Sequence, residues 1–81
     1  MTIEVLFFSR LRDLAGGARR ELQLPEGATV GDALARLHAE HPGMAPWDKH
    51  LLLAVGLEYV GREQTLREGD SLSVMPPVQG G

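Results

Sequence analysis

The residues best suited to chemistry stand together in the last six positions, whose sequence is Pro-Pro-Val-Gln-Gly-Gly. Prolines have a fixed φ and no backbone N–H, so they end a β-strand and favour an extended, polyproline-like course. Gly80 and Gly81 have no side chains, so they can pass through a slot too narrow for any other residue. The carboxylate of Gly81 can be activated as an acyl-adenylate, and attack by a sulfur donor then gives a thiocarboxylate. The sequence therefore predicts a projecting tail whose reactive group is Gly81.

A frayed terminus is the simplest alternative explanation of a Gly-Gly pair at the end of a sequence. Three features together argue against it, namely the rigid Pro76-Pro77 exit, the Gly-Gly stop and the pattern of strands described below. When extended, the residues after Pro76 reach roughly 16 Å, which is enough to enter the buried active site of a partner protein. We therefore assign residues 1–76 to a folded domain and residues 77–81 to an extended tail.

The composition excludes several classes of protein. With 81 residues, of which 43% are hydrophobic, the chain is expected to form one globular domain. Because it has no cysteine, it has neither a disulfide nor a Cys-x-x-Cys metal or redox site. A net charge of −3 without a long basic run argues against a nucleic-acid partner.

Neither a membrane segment nor a catalytic motif is recognisable in the sequence. The longest apolar run, residues 51–57, is far shorter than the roughly 20 residues of a membrane-spanning helix. We expect no signal peptide, no membrane partner and a cytoplasmic location. Without a phosphate-binding loop, nucleophile elbow or zinc signature, the chain is expected to be no enzyme by itself and to hold no metal.

The first third of the chain is predicted to contain two strands joined by a helical turn. Alternation of side chains predicts a strand over residues 2–8, with Phe8 on its outer face. Ser9 is expected to cap a helical turn over Arg10–Ala15, which the following glycine pair ends. Residues 19–24 alternate again and are predicted to form the second strand.

One long helix is predicted in the middle of the chain. Thr29 and Asp32 have the spacing of a capping box, in which each side chain accepts a hydrogen bond from the backbone N–H of the other residue. Apolar residues then recur at helical spacing at Val30, Ala33, Leu34 and Leu37. Pro42 and Gly43 end the pattern, so the helix reaches His41 at most.

Three further strands are predicted after this helix. Residues 44–50 are expected to be irregular, with Trp47 anchoring the loop in the core. A buried strand over residues 51–55 follows, then a short strand over residues 58–60 and a last strand over Ser71–Met75. A single amphipathic helix must cover one face of a mixed sheet, which gives two layers joined through a right-handed crossover. The sequence therefore predicts an α+β fold of the β-grasp (ubiquitin-like) kind with one main helix.

Four segments carry a resemblance to a known family. They are Val5-Leu6-Phe7-Phe8, Leu11-Arg12-Asp13-Leu14-Ala15-Gly16, Glu68-Gly69-Asp70 and the six-residue ending. Over essentially the whole chain, the sequence resembles the small subunit of molybdopterin synthase, which is a ubiquitin-like sulfur carrier. The six-residue ending is the most specific of these segments.

The resemblance implies a role for each residue of the tail. It implies that an ATP-dependent activating enzyme adenylates Gly81 and that a sulfur donor converts it to a thiocarboxylate. The tail, from Pro77 through Val78, Gln79 and Gly80, would then enter the large synthase subunit and donate sulfur to cyclic pyranopterin monophosphate. Two large and two small subunits are expected to form a heterotetramer. ATP is used by the activating enzyme, so the carrier itself is expected to bind no cofactor.

The resemblance also places a partner-facing apolar patch on Phe8, Tyr59 and Met75. Strand alternation independently puts Phe8 and Met75 on the outer face of the sheet. Because an exposed apolar patch usually marks an interface, we prefer this interpretation to a local packing role. Four arginines, at positions 10, 12, 19 and 20, could dock an acidic surface, but we expect them to balance Asp13 and Glu21.

Several alternatives remain open at the level of sequence. Gly56 stands where many relatives have asparagine, which leaves room for a related carrier with another client, such as the thiamine thiazole or a thiolated tRNA base. A ubiquitin-like modifier, in which Gly81 forms an amide with a target lysine, is a different class of function. A plain β-grasp interaction domain, in which the tail has no role, is another.

Overall fold

The chain alternates short strands and helices along its length. A computed structural model describes residues 1–77, and the predicted tail residues Val78, Gln79, Gly80 and Gly81 lie outside this part. The elements are β1 (Thr2–Phe7), α1 (Arg10–Ala15), β2 (Arg19–Gln23), α2 (Val30–Glu40), a 3₁₀ helix (Pro42–His50), β3 (Leu52–Val55), β4 (Glu58–Tyr59) and β5 (Ser71–Met75).

The strands form one mixed sheet of five, in the order β2-β1-β5-β3-β4. β1 pairs antiparallel with β2 and parallel with β5, so the first and last strands of the sequence lie side by side in the sheet. β3 pairs antiparallel with both β5 and β4. This arrangement confirms the predicted β-grasp fold.

The core lies between the inner face of the sheet and α2. Alternate residues of each long strand point inward, and the apolar stripe of α2 covers them. The buried side chains on the inner face of the sheet and on α2 are Ile3, Val5 and Phe7 of β1, Leu22 of β2, Leu53 of β3, Leu72 and Val74 of β5, and Val30, Ala33, Leu34 and Leu37 of α2. Each large side chain of this kind contributes about 1.5–3 kcal/mol when it leaves water.

Helix α2 begins with the predicted capping box. The Thr29 hydroxyl accepts a hydrogen bond from the Asp32 N–H at 3.2 Å, and the Asp32 carboxylate accepts one from the Thr29 N–H at 2.9 Å. At the other end, the His41 N–H still donates to the Leu37 carbonyl at 2.8 Å, and Pro42 follows. The capping box and this proline therefore set the two ends of α2, as predicted.

Two local predictions were wrong. Residues 44–50, expected to be irregular, belong to the 3₁₀ helix Pro42–His50, in which only Met44 is fully buried. With a single buried position, the stretch has no periodic apolar signal. Ser9 precedes α1, but its side chain makes no capping hydrogen bond. Its backbone, at φ 54° and ψ −131°, is not the extended conformation from which a capping hydroxyl reaches the next turn.

Four strands are each one residue shorter than predicted. Phe8, Leu24, Leu51 and Val60 lie just outside β1, β2, β3 and β4. Three of them nevertheless donate a backbone hydrogen bond to a strand or to the residue before one: Phe8 to Val74, Leu24 to Met1 and Val60 to Leu53. The predicted strands were therefore right in kind and one residue too long.

A cluster of polar side chains fastens the 3₁₀ helix to its neighbours. The Asp48 carboxylate contacts His38 Nε2 of α2, and it accepts a hydrogen bond from Arg62 Nη1 at 3.1 Å. A second guanidinium nitrogen of Arg62 donates to the Asp48 carbonyl. The hydrogen bond from His38 and the charge and hydrogen bond of Arg62 lower the pKa of Asp48, against the opposing effect of burial. Asp48 thus joins α2, the 3₁₀ helix and the loop after β4.

We expect Met44→Ala to lower the free energy of unfolding by about 2–5 kcal/mol, because it leaves a cavity beneath the 3₁₀ helix. The matched control is Leu57→Ala, since Leu57 is fully exposed and its truncation removes no packing. Urea unfolding followed by circular dichroism measures both variants. Equal stability losses in the two variants would contradict the packing of Met44.

Asp48 also predicts how stability depends on pH. Its pKa is lower in the folded chain than in the unfolded chain, so it stabilises the fold above its unfolded pKa and this contribution is lost as the pH falls through the folded pKa. Asp48→Asn is therefore expected to cost about 0.5–1 kcal/mol at pH 7 and to flatten the loss of stability below about pH 4.

The control for this variant is Glu26→Gln, which removes an exposed carboxylate that makes no ion pair within residues 1–77. Urea unfolding at a series of pH values measures both. An Asp48→Asn curve parallel to that of the parent chain down to pH 3 would rule out the proposed stabilisation.

Candidate functional site

The root of the tail lies at the middle of the sheet. β5 is flanked by β1 on one side and β3 on the other, and it ends at Met75. Pro76 and Pro77 follow and are half-buried. Because neither proline has a backbone N–H, the ladder cannot continue through them. The chain therefore leaves the sheet between two other strands, and the reactive position predicted at Gly81 lies beyond the described residues.

A mainly apolar surface covers the half of the outer sheet face that is nearer to this root, with Ser73 of β5 and Arg19 of β2 as polar residues opposite Leu6. Pairing places Leu52 opposite Met75 and Ala54 opposite Tyr59, and Phe8 follows β1 beside β5. We call this surface the outer patch; its members are Leu6, Phe8, Leu52, Ala54, Tyr59 and Met75, of which Ala54 is itself buried, at 8% exposure. Tyr59 is 75% exposed and Phe8 is 43% exposed, so these aromatic rings are open to a partner.

The outer patch contains the three predicted interface residues and three more. Phe8, Tyr59 and Met75 share one face, but two strands, β5 and β3, separate β4 with Tyr59 from β1. Leu52 and Ala54 of β3 supply the connection between Tyr59 and the other two, and sequence analysis did not assign them to the patch. The sequence contained a pattern that indicates this connection, because residues 51–55 are apolar at every position and so place apolar side chains on both faces of the strand.

The other half of the outer face is polar. Glu4 of β1 lies opposite Glu21 of β2 and Ser71 of β5, while Thr2 lies opposite Gln23. Two carboxylates in direct opposition repel each other. Arg19 forms an ion pair with Glu4, and the hydrogen bond to this carboxylate raises the pKa of Arg19. The apolar surface is therefore confined to the end of the sheet from which the tail departs.

We expected the arginines at positions 10, 12, 19 and 20 to balance Asp13 and Glu21, but within residues 1–77 they form no ion pair with either acid. Arg19 pairs with Glu4, and Arg20 pairs with Glu40 of α2. Glu40 also pairs with Arg36, and the hydrogen bond from Arg20 is the main cause of the lowered pKa of Glu40. Neither Asp13 nor Glu21 takes part in an ion pair within residues 1–77. The prediction failed because partners across the sheet and on α2 are close in space and distant in sequence.

Two clefts meet beside the root of the tail. One is lined by Ser9, Arg10, Trp47, Pro76 and Pro77. The other continues past Arg10 and Trp47 to Asp13 and Leu14. We call the two together the root cleft. Trp47 is half-buried and packs against the core from the 3₁₀ helix, as predicted, while its indole remains part of the cleft wall.

Residues 1–77 contain no group of three or more histidine, cysteine, aspartate or glutamate side chains that could hold a metal ion. His38 is engaged with Asp48, and His41 Nε2 lies 3.4 Å from Arg20 Nη1. Within the same residues, no helix has the length and apolar character needed to span a membrane.

Known proteins share this architecture over its full length. A molybdopterin synthase sulfur carrier subunit from Chlamydomonas reinhardtii is 35% identical, and the match covers 100% of both chains. Small archaeal modifier protein 3 from Haloferax volcanii is 36% identical, again over 100% of both chains. The structure of a putative molybdopterin converting factor, subunit 1, from Pyrococcus furiosus superposes with a TM-score of 0.86 at 33% identity, over 95% of this chain and 98% of that one.

A family model matches the same region. It spans residues 5–81 and therefore includes both the folded domain and the tail. One family model therefore covers both the six-residue ending and the strands of the mixed sheet. The chain belongs to the ThiS family.

Proposed function

We propose that this chain is the sulfur-carrying small subunit of a molybdopterin synthase, with a thiocarboxylate at Gly81 as its working group. The name and full-length match of the Chlamydomonas reinhardtii relative support this proposal. One observation carries it: the tail root leaves the central strand β5 directly beside the outer patch. A partner that covers the patch is therefore in position to receive the tail.

The chemistry proposed for Gly81 has two stages. On an ATP-dependent activating enzyme, its carboxylate displaces pyrophosphate from ATP and forms an acyl-adenylate. Attack of a sulfide equivalent on the acyl carbon then releases AMP and leaves the thiocarboxylate. In the large subunit, transfer of sulfur to cyclic pyranopterin monophosphate and uptake of water return Gly81 to its carboxylate. The carrier contributes the acyl group and its position, and the catalytic groups belong to the partners.

The outer patch is the proposed contact with the large subunit. Its aromatic rings, Phe8 and Tyr59, are exposed, and aromatic residues commonly supply a large share of binding energy at interfaces. Burial of the patch would place the two prolines of the root at the border of the contact. Pro77, Val78, Gln79 and Gly80 then form the segment that enters the partner in this proposal, in the assembly of two large and two small subunits.

A ubiquitin-like modifier is the second candidate. It is favoured by the 36% identity to small archaeal modifier protein 3 from Haloferax volcanii. This function uses the same acyl-adenylate at Gly81, but a target lysine amine attacks it and an amide forms. The two functions therefore share the activation step and differ in the nucleophile that follows.

The first prediction from this proposal concerns the mass of the chain. After incubation with ATP, a sulfur donor and the activating enzyme, intact-mass analysis is expected to show a gain equal to the replacement of one oxygen by sulfur. Deletion of Gly81 is expected to abolish the gain, because the tail then ends at Gly80 and its carboxylate falls one residue, about 3.3 Å of extended chain, short of the position where it is activated. Leu57→Ala, which leaves the tail intact, is expected to gain the same mass as the parent chain.

An unchanged mass, obtained with an activating enzyme that modifies a second carrier in parallel, would overturn the carrier function. Bands of the chain at many higher masses in cells, lost when Gly81 is deleted, would instead favour the modifier. A full-length chain and a chain without Gly81 that support equal molybdopterin production would leave only an interaction domain.

The second prediction concerns the outer patch. Tyr59→Ser is expected to weaken binding to the large subunit by about 2 kcal/mol or more, which is roughly thirtyfold in Kd. Leu57→Ser is the matched control, because Leu57 lies on the same hairpin and is fully exposed but is outside the patch. Calorimetric titration of each purified chain with the large subunit measures the difference. Equal affinities of the two variants would remove Tyr59 from the interface.

A further inference from the structure

The root cleft combines an unpaired charge with a fixed aromatic wall. Arg10 makes no hydrogen bond and no ion pair through its side chain within residues 1–77. By contrast, Arg19, Arg20, Arg36 and Arg62 each form at least one ion pair. Arginine presents five donors in a planar fork that matches a carboxylate. The Arg10 guanidinium is thus free to bind a carboxylate from outside the described structure.

Trp47 supplies an aromatic wall of the cleft that Arg10 also lines. It lies on the 3₁₀ helix next to Asp48, which contacts His38 and Arg62 and so ties this helix to α2 and to the loop after β4. Its ring packs partly against the core. The wall is therefore formed before any partner binds, and preorganised contacts cost less ordering entropy on binding. Tryptophan and arginine are also the residue types most enriched at the centres of interfaces.

The cleft is continuous with the outer patch through a strained residue. Phe8 belongs to the patch, Ser9 and Arg10 line the cleft, and Pro76 and Pro77 border it. Ser9 has φ 54°, and it is the one residue other than glycine with a positive φ within residues 1–77. A backbone conformation of this kind persists only where its surroundings hold it, and such residues cluster at binding sites. It turns the chain from the patch into the cleft.

The local charge identifies the chemistry of an occupant. The whole chain carries a net charge of −3, yet Arg10 in the cleft has no charged partner within residues 1–77, and Asp13 is the one acid that lines the cleft. Arg12 lies on the same helix and lines a neighbouring groove with Phe8 and Arg19. Arg12 makes one long contact, from Nε to the Ser9 carbonyl at 3.5 Å, and no ion pair within residues 1–77. Because the Arg10 guanidinium has no partner within residues 1–77, it is complementary to a carboxylate supplied from outside.

We propose that the root cleft binds an aspartate- or glutamate-bearing segment at the mouth of the channel into which a partner protein takes the tail. The inference rests on the proposed function, because it assumes a partner that receives the tail. Arg10 binds the carboxylate, and Trp47 packs against the stem of the same side chain. The outer patch then supplies apolar contact, while the cleft selects the partner and aligns it with the root of the tail.

The test uses charge reversal in the full chain and the purified large subunit. Arg10→Glu is expected to lower the association rate by about tenfold at low ionic strength, since complementary charges steer encounter. The difference is expected to shrink between roughly 50 mM and 500 mM salt, because salt screens the attraction. Arg10→Lys is expected to retain most of the rate. Urea unfolding of each variant checks that its stability equals that of the parent chain.

The matched control is Arg67→Glu. Arg67 is exposed and makes no ion pair within residues 1–77, but it precedes β5 and so lies at the opposite end of that strand from the tail. It is expected to bind as the parent chain does. A rate for Arg10→Glu equal to that of the parent, or an equal fall for Arg67→Glu, would overturn the inference and leave the proposed function intact. A parent chain that does not bind the large subunit would reject both.

Discussion

The parallel pairing of β1 with β5 is the constraint on which the site depends. It seats the last strand between β1 and β3, so the chain departs from the interior of the sheet rather than from an edge. Residues on both sides of β5 can then share one surface with the root of the tail. An edge strand has only one neighbour. If β5 were at the edge, the root of the tail could not have Phe8, which follows β1, on one side and Leu52 of β3 on the other. The outer patch and the root cleft both follow from this one placement.

The sheet serves two purposes because its faces have different compositions. Its inner face is apolar over the central strands and is covered by α2, while Arg20 of β2 lies at its margin and pairs with Glu40 of α2. This burial supplies the stability of a small domain. Its outer face is divided, with Glu4 and Glu21 at one end and the outer patch at the other. β3 makes the division possible, since Leu53 points into the core while Leu52 and Ala54 point outward. Apolar area is left uncovered at the end where the tail begins.

Much of this could be predicted from the sequence, because it depends on neighbours along the chain. The capping box at Thr29, the stripe of α2 and the outward direction of Phe8 and Met75 are all local patterns. Strand order, the ion pairs of Arg19 and Arg20 and the inclusion of Leu52 in the outer patch depend on residues distant in sequence. The 3₁₀ helix and the backbone of Ser9 give no periodic signal. Gly81 lies outside the described residues, so its role stays a prediction.

The pairing of the first strand with the last also governs the order of events during synthesis. Glu4 pairs with Ser71, and Phe7 pairs with Val74, so this ladder joins residues from opposite ends of the chain. Contacts of such long range form late and slow the folding of small domains. A nascent chain without β5 lacks its central strand and exposes the edges of β1 and β3, which invites aggregation or degradation. The sheet can close only on a chain already synthesised through β5, so the outer patch and the root of the tail are displayed together only after that strand has joined the sheet.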